Sequence, residues 1–290
     1  MRSLRWKIAG HVLALLGTVL LGGLLSATLV RLAPGFEADE RELDPHLNQD
    51  SVQALREARH REHNIVRFYF SYLQHAAQGD LGVSLALGQP VLTLLADRTP
   101  LTLRLVTRGL ALAWLLSLLL AFSAAWLRFS VYDVLATTVS GTLLCIPAAV
   151  LALFSVLWNV SGSLAIALII FPVTFRHARN LLGTAYSQSH ILAARARGVG
   201  DIRILFWHVV PVVTPQLLLV AGVSVSLAIG AAIPVEALCG LAGIGQLAWQ
   251  AALGRDLPLL VNLTIGVTLV TLLANSGADV IAHIVRGQRV

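Results

Sequence analysis

The chain has 290 residues, 57% of them hydrophobic and only 12% charged, with a mean hydropathy of +0.78 and a formal net charge of +6. A water-soluble domain carries about 25% charged residues, so this composition excludes a protein whose whole surface faces water and points to lipid as the solvent. The basic excess is not a nucleic-acid footprint either: Lys7 is the only lysine, and the arginines lie between apolar runs and not along one face.

In chain order, Arg2, Arg5 and Lys7 precede an apolar run from about Ile8 to Val30. The run is longer than the roughly 20 residues a helix needs to cross the hydrocarbon core and than a secretory h-region of about 7–15. It therefore reads as a retained first membrane helix. Residues 31–100 form the main polar segment, with ten acids, among them Glu37, Asp39, Glu40 and Glu42, against seven arginines. Inside it Ile65, Phe68, Tyr69, Tyr72 and Leu73 recur at helical spacing, which predicts an interfacial amphipathic helix. Pro90 and Pro100 punctuate the return to the membrane.

Five more apolar runs follow, over about 101–127, 132–158, 161–178, 211–238 and 258–285. Their breaks are Arg128–Ser130, Asn159–Gly162, the Arg176–His208 block and Gly240–Asp256, and the run 161–178, the fourth span of the six, is the least sharply bounded. Only helices and closed barrels satisfy the backbone in lipid, and these runs are too long and too uniformly apolar for alternating barrel strands. The expected fold is an all-α integral membrane protein with about six transmembrane helices and an external amphipathic segment after the first.

Arginine placement predicts the orientation. With the N-terminus inside, the cytoplasmic segments hold Arg2, Arg5, Lys7, Arg128, Arg176, Arg179, Arg195, Arg197, Arg203, Arg286 and Arg289, and the acid-rich segment lies outside. The chain then divides into a cytoplasmic N-terminus with first helix (1–30), an external segment (31–100) and a core (101–290) with a cytoplasmic loop over 179–210. Both termini are placed inside. Cys145 and Cys239 sit in or beside apolar runs and read as small buried hydrophobes.

The most informative stretch runs from His190 to Pro211. Ala193, Ala194 and Ala196 leave a smooth helix face, and Gly198 and Gly200 allow a backbone bend into a second helix. Arg195, Arg197 and Arg203 are expected to project charge toward the cytoplasm. On the residues alone, an ordinary positive-inside loop is an equal reading.

Here the sequence resembles the dipeptide/oligopeptide/nickel branch of ATP-binding-cassette importer permeases. Arg176 and Arg179, then His190-Ile191, then Ala194-Arg195-Ala196-Arg197-Gly198, then His208 and Pro211 are similar to that branch's "EAA" loop, with Leu192 in place of the general motif's glutamate. Leu32-Ala33-Pro34-Gly35 looks like the family's L-x-P-G. Gly79-Asp80-Leu81-Gly82-Val83-Ser84, Pro90-Val91 and Arg98-Thr99-Pro100-Leu101-Thr102-Leu103 look like its G-D-L-G-x-S, P-V and R-x-P-x-T-L. Cys145-Ile146-Pro147 stands where the branch has an S-I-P turn. Pro234-Val235-Glu236, Gly243-Ile244-Gly245, Arg255-Asp256-x-Pro258 and Asn275 with Asp279 also match. Two departures lie on the outer side: the link at Asn159–Gly162 is short, and Arg61-Glu62-His63-Asn64 replaces L-G-L-D-x-P.

The resemblance implies a type I ABC importer permease fold of the first permease type. Ala193, Ala194, Arg195, Ala196, Arg197, Gly198, Asp201 and Arg203 would couple it to an ATPase. The implied partners are a paralogous permease, two ATP-binding subunits, an external substrate-binding protein and the inner-membrane bilayer. The chain has no G-x-x-x-x-G-K-[ST] phosphate loop, and its one lysine stands at position 7. ATP and magnesium are therefore expected on the partners, and no cofactor, metal or catalytic residue on this chain.

Glu236 and Asp279 are candidate gate or pathway residues, since intramembrane acids are often functional; the competing and favoured reading has each capping a helix end or pairing with an arginine. Arg104 and Arg108 read as snorkelling to the outer interface. His60 and His63 share a helix face but lack a third ligand, and read as a solvated pair. The other transporter class, an ion-gradient-driven secondary transporter, calls for acids near span centres, whereas these acids lie toward span ends or loops.

Overall fold

A computed structural model of the chain describes residues 17–26, 28–29, 65–127 and 130–287. The described elements are all helical apart from one isolated bridge, Val83 with Pro90. In order they are α1 (Gly17–Ser26), α2 (Ile65–Ala77), α3 (Val91–Leu127), α4 (Ser130–Cys145), α5 (Ala148–Leu157), α6 (Gly162–Tyr186), α7 (Ser189–Ala196), α8 (Asp201–Ile204), a π-helical turn (Leu205–Val209), α9 (Val210–Leu238), α10 (Ile244–Leu253) and α11 (Leu257–Gly287).

Among the described residues four helical stretches are long and apolar enough to cross a membrane: Val91–Ala125, Gly162–Tyr186, the continuous Asp201–Leu238 and Leu257–Gly287. The bent pair α4–α5 makes a fifth if it counts as one span. The run expected over Ile8–Val30 lies largely outside the described residues, which hold its Gly17–Ser26 helix.

Three boundaries differ from the sequence expectation, each for an identifiable reason. The helix expected from 101 begins at Val91 and carries Pro100 inside it. Pro100 removes one ladder hydrogen bond, while the Thr99 hydroxyl donates to the Leu95 carbonyl one turn back, at 2.6 Å. The run 132–158 is not one straight helix. Pro147 disfavours a helical conformation at Ile146 and is itself extended (φ −58°, ψ 143°), and the chain bends there by 97°. The run 161–178 continues to Tyr186, because Ala178, Leu182 and Ala185 keep its buried stripe going past the arginines.

Five helices end alike. After α2, α5, α7, α9 and α10 a residue enters the left-handed region: Gly79 (φ 86°), Asn159 (51°), Gly198 (74°), Gly240 (64°) and Arg255 (50°). In each case the next residue's N–H reaches back five residues, as from Val199 to the Ala194 carbonyl at 3.2 Å and from Leu241 to the Glu236 carbonyl at 2.9 Å. This satisfies carbonyls that a helix end otherwise leaves open.

Packing gives two compact units. One comprises the described residues up to Thr99 together with Leu247–Val270. Its core is Tyr69, Leu257 and Val261, with Leu24, Tyr72, Leu73 and Ile265 against them, so Tyr69, Tyr72 and Leu73 do form an apolar face of α2. The Tyr69 hydroxyl donates to the Leu20 carbonyl at 2.8 Å and the Tyr72 hydroxyl to Asn262 Oδ1 at 2.7 Å. Burial pushes the Tyr72 phenol up to about 12.

The other unit comprises Pro100–Gln246 with the chain from Thr271. Its centre is α6, whose Ile166, Ile170, Phe175 and Leu182 are fully buried. Small residues let backbones approach, as is common between membrane helices. A Cβ on Gly109 would stand 2.6 Å from Ile166, and one on Gly222 would stand 2.8 Å from Ala278. Hydroxyls bridge the helices: Ser117 lies 2.5 Å from Thr174, and Ser140 donates to the Pro172 carbonyl at 3.2 Å. Arg179 of α6 grips Asp133 of α4 with Nε (2.5 Å to Oδ1) and Nη2, a two-pronged ion pair.

Candidate functional site

The segment between α6 and α9 is a short helix, a left-handed glycine and the start of a long helix. Gly198 has open space where a Cβ would stand, so its φ of 74°, and not crowding, is what calls for glycine there. Ile191 and Ala194 face inward and are buried, as is Ile204 beyond the turn. Leu192, Ala193, Ala196, Arg197, Gly198, Asp201 and Arg203 are exposed.

The expectation of a smooth alanine face is met at Ala193 and Ala196, while Ala194 turns into the core. The expectation for Arg195 is corrected. Its guanidinium lies 5.8 Å from the ring centroid of Tyr186, the last residue of α6, and its Nε stands 3.7 Å from Asp201 Oδ1. Arg195 thus folds back and ties α7 to the helices on either side, leaving Arg197 and Arg203 to present charge outward. Exposed apolar side chains extend this surface: Leu192, Ile202, Phe206 and Trp207, the last 74% exposed. The π-helical turn that carries Phe206 and Trp207 comes just before Pro211 and Pro215, whose missing N–H groups interrupt the ordinary ladder.

At the far end of the same continuous helix, Glu236 is fully buried. Its Oε2 accepts the N–H of Gly245 at 2.6 Å and of Gln246 at 3.3 Å, while the Ile244 N–H donates to Thr102 Oγ1 at 2.8 Å. The carboxyl group and the threonine together occupy the N-terminus of α10, where the first N–H groups have no partner within the helix. Glu236 is thus a helix cap from another helix, the arrangement that the capping alternative describes. Asp279 is exposed on α11, one turn beyond Asn275, whose amide donates to the Ser226 hydroxyl at 3.2 Å.

A second buried acid carried only motif weight in the sequence. Asp256 accepts the Ser84 hydroxyl (2.5 Å) and the Ala86 N–H (3.0 Å) on Oδ2, and caps α11 through the Leu259 N–H (3.1 Å) on Oδ1. It joins G-D-L-G-x-S to R-D-x-P across 172 positions. The pairings of Ser84 with Asp256 and of Thr102 with Ile244, across 172 and 142 positions, could not be read from spacing. Among the described residues no three His, Cys, Asp or Glu side chains gather to hold a metal; His60 and His63 lie outside the described residues.

Comparison with known proteins bears on the same regions. Residues 84–288 match the family described as binding-protein-dependent transport system inner membrane component. The chain is 30% identical over 266 residues to the oligopeptide transport system permease protein OppB of Escherichia coli K12, covering 83% of this chain and 85% of that one. It is 24% identical over 299 residues to the dipeptide transport system permease protein DppB of Lactococcus lactis, covering 95% and 97%. A Brucella abortus protein provisionally named a peptide transport system permease is 29% identical over 205 residues, or 62% of this chain, and there the chain spans 65% of its relative's length. Among solved structures, the inward-facing MetNI methionine ABC transporter contains a chain that superposes with a TM-score of 0.52 at 18% identity, covering 64% of this chain and 96% of that one. At that identity the likeness speaks for the fold alone. The chain belongs to the family of binding-protein-dependent transport system inner membrane components.

Proposed function

We propose that this chain is the permease subunit of an ATP-driven importer and forms half of a pathway for short peptides or similar small solutes. A paralogous permease supplies the other half, two ATP-binding subunits drive the cycle, and an external binding protein delivers the solute. Both termini lie in the cytoplasm, and the segment before α3 lies outside. The names of the Escherichia coli, Lactococcus and Brucella relatives favour peptides as the cargo class.

The observation that carries the proposal is the segment Ser189–Arg203. It is an exposed helix, turn and helix start, with Arg197 and Arg203 outward, joined without slack to two membrane helices, Gly162–Tyr186 and Asp201–Leu238. A partner that grips this segment moves both helices, so closure of two ATPase subunits biases the bundle between inward- and outward-open states. Ala193, Ala194, Arg195, Ala196, Arg197, Gly198, Asp201 and Arg203 form or support the contact. Ala194 and Arg195 do so by holding α7 in place, and Asp279 faces the pathway or the paralogous subunit.

The test is to purify the tagged chain from membranes of its own host. Co-purification of an ATP-binding subunit, with ATP hydrolysis raised by a secreted binding protein, is the expected result. A chain that purifies without any ATPase and transports with an ion gradient would overturn the reading.

A further inference from the structure

Three of the sequence motifs meet at one buried point: Thr102 from the start of the apolar part of α3, Glu236 from the last turn of α9, and Gly243 and Gly245 from the turn into α10. The space is closed. A Cβ on Gly243 would overlap the Glu236 carboxyl group, and one on Gly245 would stand 2.7 Å from the Ala232 carbonyl oxygen and the Ile233 Cα. Glu236 Oε2 serves two backbone N–H groups, but Oε1 is buried with no hydrogen-bond partner among the described residues. A serine or threonine side chain caps a helix start without that desolvation cost. The arrangement therefore holds an acid where stability alone does not require one.

Its location adds to this. Asp201–Leu238 is 38 residues of continuous helix, about 57 Å at 1.5 Å per residue. One end joins the Ser189–Arg203 segment and the other carries Glu236, so whatever tilts the first end displaces the second. The residue that ties that far end to the next helix in the chain is Glu236.

Building on the importer reading, we propose that Glu236 is a positioning residue for transport. Its carboxyl group fastens the N-terminus of α10 to the last turn of α9, beside the Thr102 contact from within α3, so that movement of α9 is delivered to α10. It acts through α10 and touches no solute. Loss of the cap leaves the ATPase running while α10 no longer follows.

The experiment uses the complete importer in membrane vesicles, with Cys145 and Cys239 replaced and Ala251→Cys as a maleimide reporter on the buried face of α10. In Glu236→Ala, at wild-type membrane level, uptake of radiolabelled trialanine is expected to fall about tenfold in maximal rate, with unchanged half-saturation and retained ATP hydrolysis. Labelling of Ala251→Cys is expected to rise about tenfold, the scale on which a lost cap frees a helix end. Glu236→Gln keeps one carbonyl oxygen for Gly245 and Gln246 and should recover most of the rate, which a loss of fold would not allow. Wild-type uptake and labelling in Glu236→Ala would overturn the proposal. Should Glu236→Ala fail to reach the membrane, Thr102→Ala decides. It removes the acceptor for Ile244 and the hydroxyl beside the Glu236 carboxyl group while leaving the carboxyl group on Gly245 and Gln246, and is expected to lower uptake and raise labelling partway; wild-type values there would overturn the proposal equally. If the parent complex shows neither uptake nor binding-protein-stimulated hydrolysis, the importer reading fails. The labelling readout still decides whether Glu236 holds α10, and unchanged labelling in both variants overturns that too.

Discussion

Replacing Asp256 by alanine removes an acceptor shared by three donors. Two of them are fully enclosed, the Ser84 hydroxyl and the Leu259 amide, while Ala86 belongs to an exposed residue. A buried donor left without a partner costs about 1–3 kcal/mol, so the two enclosed donors together predict a loss of about 2–6 kcal/mol. Ser84→Ala removes one donor and leaves the carboxylate its two amides, for a loss of about 1–2 kcal/mol. The two sites are in contact, so the double variant should fall short of the sum by about 1 kcal/mol. For a chain of this size each kcal/mol moves the thermal midpoint by about 2 °C. Heating the detergent-solubilised protein while following tryptophan fluorescence, all variants at one scan rate, should give shifts of about 4–12 °C for Asp256→Ala and about 2–4 °C for Ser84→Ala. Unchanged midpoints in Asp256→Ala would refute the reasoning, and strict additivity would show that the two side chains do not depend on each other.

Other consequences are as direct. Gly245→Ala drives a Cβ into the backbone of Ala232 and Ile233, which cannot swing aside; the expected loss is about 1–3 kcal/mol, read as a lower midpoint. Gly230→Ala in the long helix α9 meets nothing within 4 Å and should be neutral or gain about 0.5–1 kcal/mol. Gly198→Val is strained by its φ of 74° even though the space is open. It should cost about 1–2 kcal/mol and lower uptake per ATP hydrolysed, with equal coupling in the variant counting against the turn's role. The Tyr72 phenol, raised by burial from 10 to about 12, binds its proton more tightly folded than unfolded. Its contribution is fully present below pH 10 and falls as pH rises from about 10 to about 12; Tyr72→Phe should remove that part of an alkaline unfolding curve.

What could be read in advance was whatever is local. Apolar runs announced α6, α9 and α11, the helical spacing of Tyr69, Tyr72 and Leu73 gave the inward face of α2, and Gly198 marked the turn before α8. Composition failed where geometry and composition part company. Val91–Thr99 is helical but carries Asp97 and Arg98, so the polar-to-apolar switch placed the start of α3 ten residues late. Cys145-Ile146-Pro147 was recognisable as a turn, yet an unbroken apolar composition on both sides masked a right-angled bend. Pairings over long separations, Ser84 with Asp256 and Thr102 with Ile244, were out of reach because only the folded chain brings them together. The same holds for Arg195, whose tether to Tyr186 and Asp201 depends on how α7 folds back.

The central claim is that the exposed α7 segment meets a nucleotide-driven subunit. Placing a photo-crosslinking benzoylphenylalanine at Leu192, which is 57% exposed, and irradiating intact membranes tests this most directly, with Leu87 as a control site on the segment before α3. An adduct between this chain and an ATP-binding subunit from position 192, absent from position 87, is the predicted result. No such adduct from 192, or the same adduct from 87, would contradict the account.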